Sequence, residues 1–295
     1  KPDVTLSIVK GFSEESQCVS RVAYDEKVYR VSSASSTFRE ITQVGLECLG
    51  DIGNVQLGEV ALLAQKSLKL ISERSMLAIS HMDITEAFLL DISSLKARQE
   101  ALSYLEKRNI SAMDKLVSDY PECSEAIMKL GSLMKLNGSN KETLSSLRAM
   151  GAKEKAVEEL EEIVSILDEE KVRIDFSVLG GMNYYNGITF RGYIYGVPGP
   201  VVSGGQYDRL MARMGKKAKA IGFAVYLDSL EKLLEETEEY DVDVALVYSE
   251  DCSMLDVIKT AEEIRESGRS VSTMKKLPQK LKSRETVFLK GGENA

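Results

Sequence analysis

The chain has 295 residues, 43% of them hydrophobic and 28% charged, a balance that builds a sizeable globular core. Its net charge of −8 argues against a general nucleic-acid surface, which leaves a basic footprint. No apolar run approaches the roughly 20 residues of a membrane span, and no signal peptide is visible. The four cysteines, Cys18, Cys48, Cys123 and Cys252, form no C-x-x-C pair and read as reduced thiols of a cytoplasmic protein. The single histidine, His81, stands apart from any cysteine cluster. No metal site or Ser-His-Asp triad is expected from it.

In chain order, Lys1-Pro2-Asp3-Val4-Thr5 leads into a short helix, with Asp3 and Thr5 available to cap backbone amides. The missing initiator Met suggests that natural N-terminal sequence precedes it. A strand is expected around Lys27–Val31, then a polar loop over Ser32–Thr37, then a second strand over Phe38–Leu49. Period two puts Gln43, Gly45 and Glu47 on one face of that strand, leaving a gap over the backbone between two polar groups. The same alternation also fits a solvated strand face. Leu57, Val60, Ala61, Ala64, Leu68 and Ile71 recur at helical spacing, and Leu77–His81 reads as a strand.

Residues 96–170 are helical and highly charged, an insertion between two halves of a sheet domain. Val157, Leu160, Ile163, Val164 and Leu167 form its apolar stripe, with Glu158, Glu159, Glu161 and Glu162 on a solvated face. Alternation over Lys171–Val178 predicts a half-buried strand. A second alternation sets Ile188, Phe190, Gly192 and Ile194 against Thr189, Arg191, Tyr193 and Tyr195. Ser203-Gly204-Gly205 permits close backbone approach, and Ala220–Leu227 is an apolar run passing into a helix. Paired tyrosines and paired glycines on a pleated floor suggest a pocket for a small planar molecule. After the acidic stretch 235–239, a strand from Val242, a helix carrying Leu255, Ile258, Ala261 and Ile264 at helical spacing, and a strand from Val271 make a β-α-β unit.

Taken together and in order, these motifs resemble the class II aminoacyl-tRNA synthetase core of the histidyl-tRNA synthetase family, and more closely that family's branch of ATP phosphoribosyltransferase regulatory subunits. Lys1–Thr5 is similar to the family's R-P-[DE]-x-T, and Gln43-x-Gly45-x-Glu47 to its Q-x-G-x-E. Met182–Gly187 resembles L-D-Y-Y-T-G, Ser203–Asp208 resembles A-G-G-R-Y-D, and Ala220–Ala224 resembles the motif 3 strand. The resemblance implies an α+β fold with an antiparallel sheet flanked by helices over residues 1–240, carrying the insertion, and a small α/β domain over 241–295. It implies histidine contacts from Asp3, Thr5, Gln43, Glu47, Tyr184, Tyr185 and Tyr207, with Arg30 a remnant of the nucleotide site.

Three places depart from the synthetase pattern: Ser32 stands for a glutamate, and Gly180 and Ser229 stand for arginines. Adenylate formation needs cations on the triphosphate. Lys216, Lys217 and Lys219 fall in a loop, and no obvious residue nearby replaces the arginines. The resemblance therefore implies a regulatory subunit without catalytic residues or cofactor. Its expected partner is the short-form ATP phosphoribosyltransferase catalytic subunit, with histidine as effector, as a homodimer within a hetero-octamer, and with tRNA binding disfavoured. A working histidyl-tRNA synthetase and a synthetase-like amino-acid-binding module are the alternatives.

Overall fold

The computed structural model describes residues 3–14, 18–31, 38–179, 184–230 and 240–291. By compactness it divides into two units, residues 1–231 and 232–295.

The first unit is built on a seven-stranded sheet. Its strands are β1 (Ser20–Val31), β2 (Phe38–Gly50), β3 (Ser75–His81), β4 (Val172–Ile174), β5 (Ile188–Ile194), β6 (Val202–Gln206) and β7 (Lys219–Tyr226). They run in the order β1-β2-β7-β6-β5-β3-β4. Every pairing is antiparallel except β3 with β4. Helix α2 (Asn54–Ile71) buries Leu57, Val60, Ala61, Ala64 and Leu68 on one face of the sheet. Gly192 of β5 lies directly against Leu68, and a side chain there would collide with it. The first helix, α1 (Val4–Gly11), starts at Asp3, whose carboxylate accepts the Leu6 N–H at 2.9 Å. It closes the opposite face, where Val9 packs with Leu49, Tyr207 and Ala220.

Between β3 and β4 the chain forms α3 (Met82–Leu90), α4 (Leu95–Glu106), α5 (Ile110–Asp119), α6 (Ser124–Ser132), α7 (Asn140–Ala149) and α8 (Glu154–Ser165). The stripe of α8 is buried as its spacing predicts. One glutamate leaves the solvated face: Glu159 turns inward and accepts from His81 Nε2 at 3.2 Å. His81 Nδ1 caps α3 by accepting the Asp83 N–H, so the ring proton lies on Nε2. The sole histidine thus joins sheet to insertion.

Three expectations are corrected. The strand from Lys171 ends at Ile174, because Asp175 folds the chain by accepting both the N–H and the hydroxyl of Ser177. Phe176 and Val178 are still buried, so the alternation marked burial rather than strand. In the second unit, β8 (Val242–Tyr248) is followed by α9 (Met254–Glu266), which buries Val257, Ala261 and Ile264. Leu255 and Ile258 are exposed. The apolar stripe facing Leu246 is therefore rotated from the one expected. After β9 (Val271–Met274) comes an unanticipated strand, β10 (Ser283–Leu289), which leaves β8 central in an all-parallel sheet. Its half-exposed edge position gives it no clean alternation.

Candidate functional site

Strand register assembles the site. Arg191, Ser203, Ala224, Gly45 and Tyr24 stand opposite one another across β5, β6, β7, β2 and β1, on one face of the sheet. One step along the strands, Gln43 lies opposite Tyr226. One step the other way, Gly205, Gly222 and Glu47 align. The glycines make this floor hollow. A Cβ on Gly45 would strike the Tyr24 ring and the Phe223 carbonyl, and one on Gly222 would strike the Glu47 carboxylate. Over the floor lies a cavity of about 330 Å³.

Asp3, Thr5, Gln43, Glu47, Tyr184, Tyr185 and Tyr207 all line this cavity. Strand period two supplies Gln43 and Glu47, the first turn of α1 supplies Thr5, and the turn before β5 supplies the tyrosine pair. Glu47 is 2% exposed. Its Oε1 accepts from the Thr5 hydroxyl at 2.6 Å, and its Oε2 from the Tyr207 hydroxyl at 2.6 Å. Burial pushes its carboxyl up to about 7, against the lowering effect of those two hydrogen bonds. Burial likewise raises the phenols of Tyr24, Tyr184, Tyr185 and Tyr207, which stay protonated donors. The Tyr184 ring meets Tyr185 edge-on at 4.7 Å between centroids and Tyr207 at 6.0 Å. Gln43 is 3% exposed, and its Nε2 has no hydrogen-bond partner among the described residues. A buried amide donor without an acceptor is destabilising, so this group fits a ligand that supplies one.

The motif residues around the tyrosines work as a frame. Asp208 accepts from the Ala220 N–H at 2.9 Å and from the side-chain amides of Gln206 at 2.6 Å and Asn186 at 3.2 Å. Asn186 in turn accepts the Arg209 N–H. Gly187, at φ 61°, lets the chain turn sharply from this frame into β5.

The Arg30 side chain, Ser32 and Gly180 lie outside the described residues. Ser229 falls in a short 3₁₀ turn, Leu227–Leu230, beside Asp228, whose carboxylate accepts the Thr42 N–H at 3.0 Å. Lys216 donates to the Phe12 carbonyl at 2.7 Å, and Lys219 starts β7. Sequence reasoning gave no role to Tyr24, Arg191 or Tyr226, which also line the cavity. The signal for Arg191 was present, since its strand alternation already set it on the face opposite Phe190 and Gly192.

Fold and site together define an α+β protein with a mostly antiparallel sheet, flanked by helices, that carries an amino-acid-sized polar cavity. The family model described as histidyl-tRNA synthetase matches residues 1–230, and the chain belongs to that family. Within it, the chain is 26% identical over 253 residues to an ATP phosphoribosyltransferase regulatory subunit of Bacillus cereus, an alignment covering 81% of this chain and 60% of the relative. The chain thus spans less than two thirds of that relative's length. Among solved structures, an ATP phosphoribosyltransferase regulatory subunit/histidyl-tRNA synthetase from Bacillus halodurans superposes with a TM-score of 0.71 at 23% identity, covering 99% of this chain and 80% of that one. The ATP phosphoribosyl transferase (HisG:HisZ) complex from Thermotoga maritima matches with a TM-score of 0.62 at 21% identity, covering 76% and 78%. These likenesses bear out the expected fold class.

Proposed function

We propose that this chain is the synthetase-like part of a non-catalytic regulatory subunit of ATP phosphoribosyltransferase, acting in the first step of histidine biosynthesis by binding the short-form catalytic subunit. In this reading its cavity holds histidine as effector. The observation that carries the ligand is the convergence of Asp3, Thr5, Gln43, Glu47 and three tyrosines on one cavity. The partner reading draws on the likeness to regulatory subunits. Asp3 and Glu47 would face the ligand's ammonium or imidazole, Gln43 Nε2 would find an acceptor on it, and the tyrosine rings would pack on its plane. With Ser229 in place of an arginine, this side of the site is poorly equipped to stabilise a departing pyrophosphate. Feedback requires that histidine bind one state of the assembly better than another, since equal affinities shift nothing.

The test is to mix the purified chain with a short-form catalytic subunit and follow complex formation and transferase rate with and without histidine. A complex whose rate rises on assembly and falls with histidine is expected. No complex and no effect on rate would remove this reading, and histidine-dependent exchange of pyrophosphate into ATP would replace it with a synthetase.

A further inference from the structure

The cavity has two chemically different ends. Glu47 stands on β2 and Arg191 on β5, three strand spacings apart and two residues offset along the strands, about 16 Å between backbones. Among the described residues Arg191 is the one cation lining the cavity, whereas Asp3 and Glu47 are both acidic. The floor between the ends is kept low by Ser203, Ala224, Gly222 and Gly45. With the reach of the two side chains subtracted, the span left suits one small dipolar molecule.

The posture of Arg191 supports this. Its Nη2 donates to the Leu179 carbonyl at 3.0 Å and forms a 3.7 Å ion pair with the half-exposed Glu106 of α4. Its Nε and Nη1 have no hydrogen-bond partner among the described residues, although the side chain is only 26% exposed. A guanidinium carries five donors in a planar fork suited to a carboxylate. The contact with Leu179 brings it to the residue before Gly180, one of the two places where the sequence lacks an expected arginine.

We propose that Arg191 is a specificity-determining residue: it forms the anion end of the cavity and takes the α-carboxylate of a free amino acid whose cationic end faces Glu47. This deepens the reading above and rests on it for the identity of the amino acid, though not for the presence of an anion end. The cavity would select an intact amino acid over the corresponding amine.

The experiment is calorimetry of the full chain and of Arg191→Gln and Arg191→Lys with L-histidine and with histamine, which lacks the carboxylate. The wild type should prefer histidine by about tenfold or more, the span of one charge-assisted contact. Arg191→Gln should erase that preference while leaving histamine binding unchanged, and Arg191→Lys should restore part of it. An Arg191→Gln variant that keeps the preference overturns the proposal, as does one that weakens both ligands equally. If the wild type binds neither compound, the histidine reading fails on its own. The anion end is then read with inorganic phosphate, where heat that disappears in Arg191→Gln supports it and the absence of such heat overturns it.

Discussion

Glu47 is unusual among the described carboxylates in being almost fully enclosed yet hydrogen-bonded at both oxygens. Its raised pKa has consequences of definite sign. Between about 4.5 and about 7 the folded chain holds a proton that the unfolded chain has released, so stability falls as pH rises through that window. The contribution is roughly 3 kcal/mol. Glu47→Gln removes the titration, so urea denaturation at pH 5 and pH 8 should show the variant gaining on the wild type at the higher pH. An equal difference at both pH values would contradict the buried-carboxylate account. Binding has the opposite dependence. A ligand cation needs the ionised form, so affinity should fall below pH 7, by at most about tenfold per unit, and this fall should flatten in Glu47→Gln. Gly222 bears on the same group: a methyl there occupies the space of the Glu47 carboxylate. A Cβ there also presses on the Leu46 carbonyl of β2, so Gly222→Ala should weaken ligand binding by more than about tenfold and lower stability as well, measured by calorimetry beside urea denaturation.

At the level of elements, two buried amide side chains join helices to backbone. Asn140, at the start of α7, donates to the Val172 carbonyl at 3.1 Å and accepts the Ile174 N–H at 3.0 Å, pairing both with the outer edge of β4. Gln65 of α2 does the same for Asp168, with contacts of 3.2 Å and 2.9 Å. A three-residue edge strand has little else to hold it in the sheet. Asn140→Leu should cost about 2–4 kcal/mol in urea unfolding, because it strands one buried donor and one acceptor. A loss below about 0.5 kcal/mol would mean that β4 is held by its apolar contacts alone. These clasps were not legible in the sequence, since an asparagine at a helix start reads as a cap, and nothing local marks the strand it reaches. Similarly, Asp175 ended a strand that alternation alone extended.

For the whole molecule, what was legible followed from period. The face shared by Gln43, Gly45 and Glu47, the core stripe of α8 and the face of β5 were all readable from spacing, and the structure places them as expected. The order of motifs carried the family, which the match over residues 1–230 bears out. What was not legible depends on strand neighbours. Arg191 and Tyr24 enter the cavity only because β5, β6, β7, β2 and β1 lie side by side, and no spacing along the chain encodes that order. The third strand of the second unit was hidden for a related reason, its edge position leaving it half-exposed. The central claim is a cavity that retains amino-acid recognition without nucleotide chemistry. Calorimetry of the full chain with L-histidine and with ATP, side by side, tests it most directly. The account predicts saturable binding of histidine and no heat with ATP; tight ATP binding, with or without histidine, would contradict it.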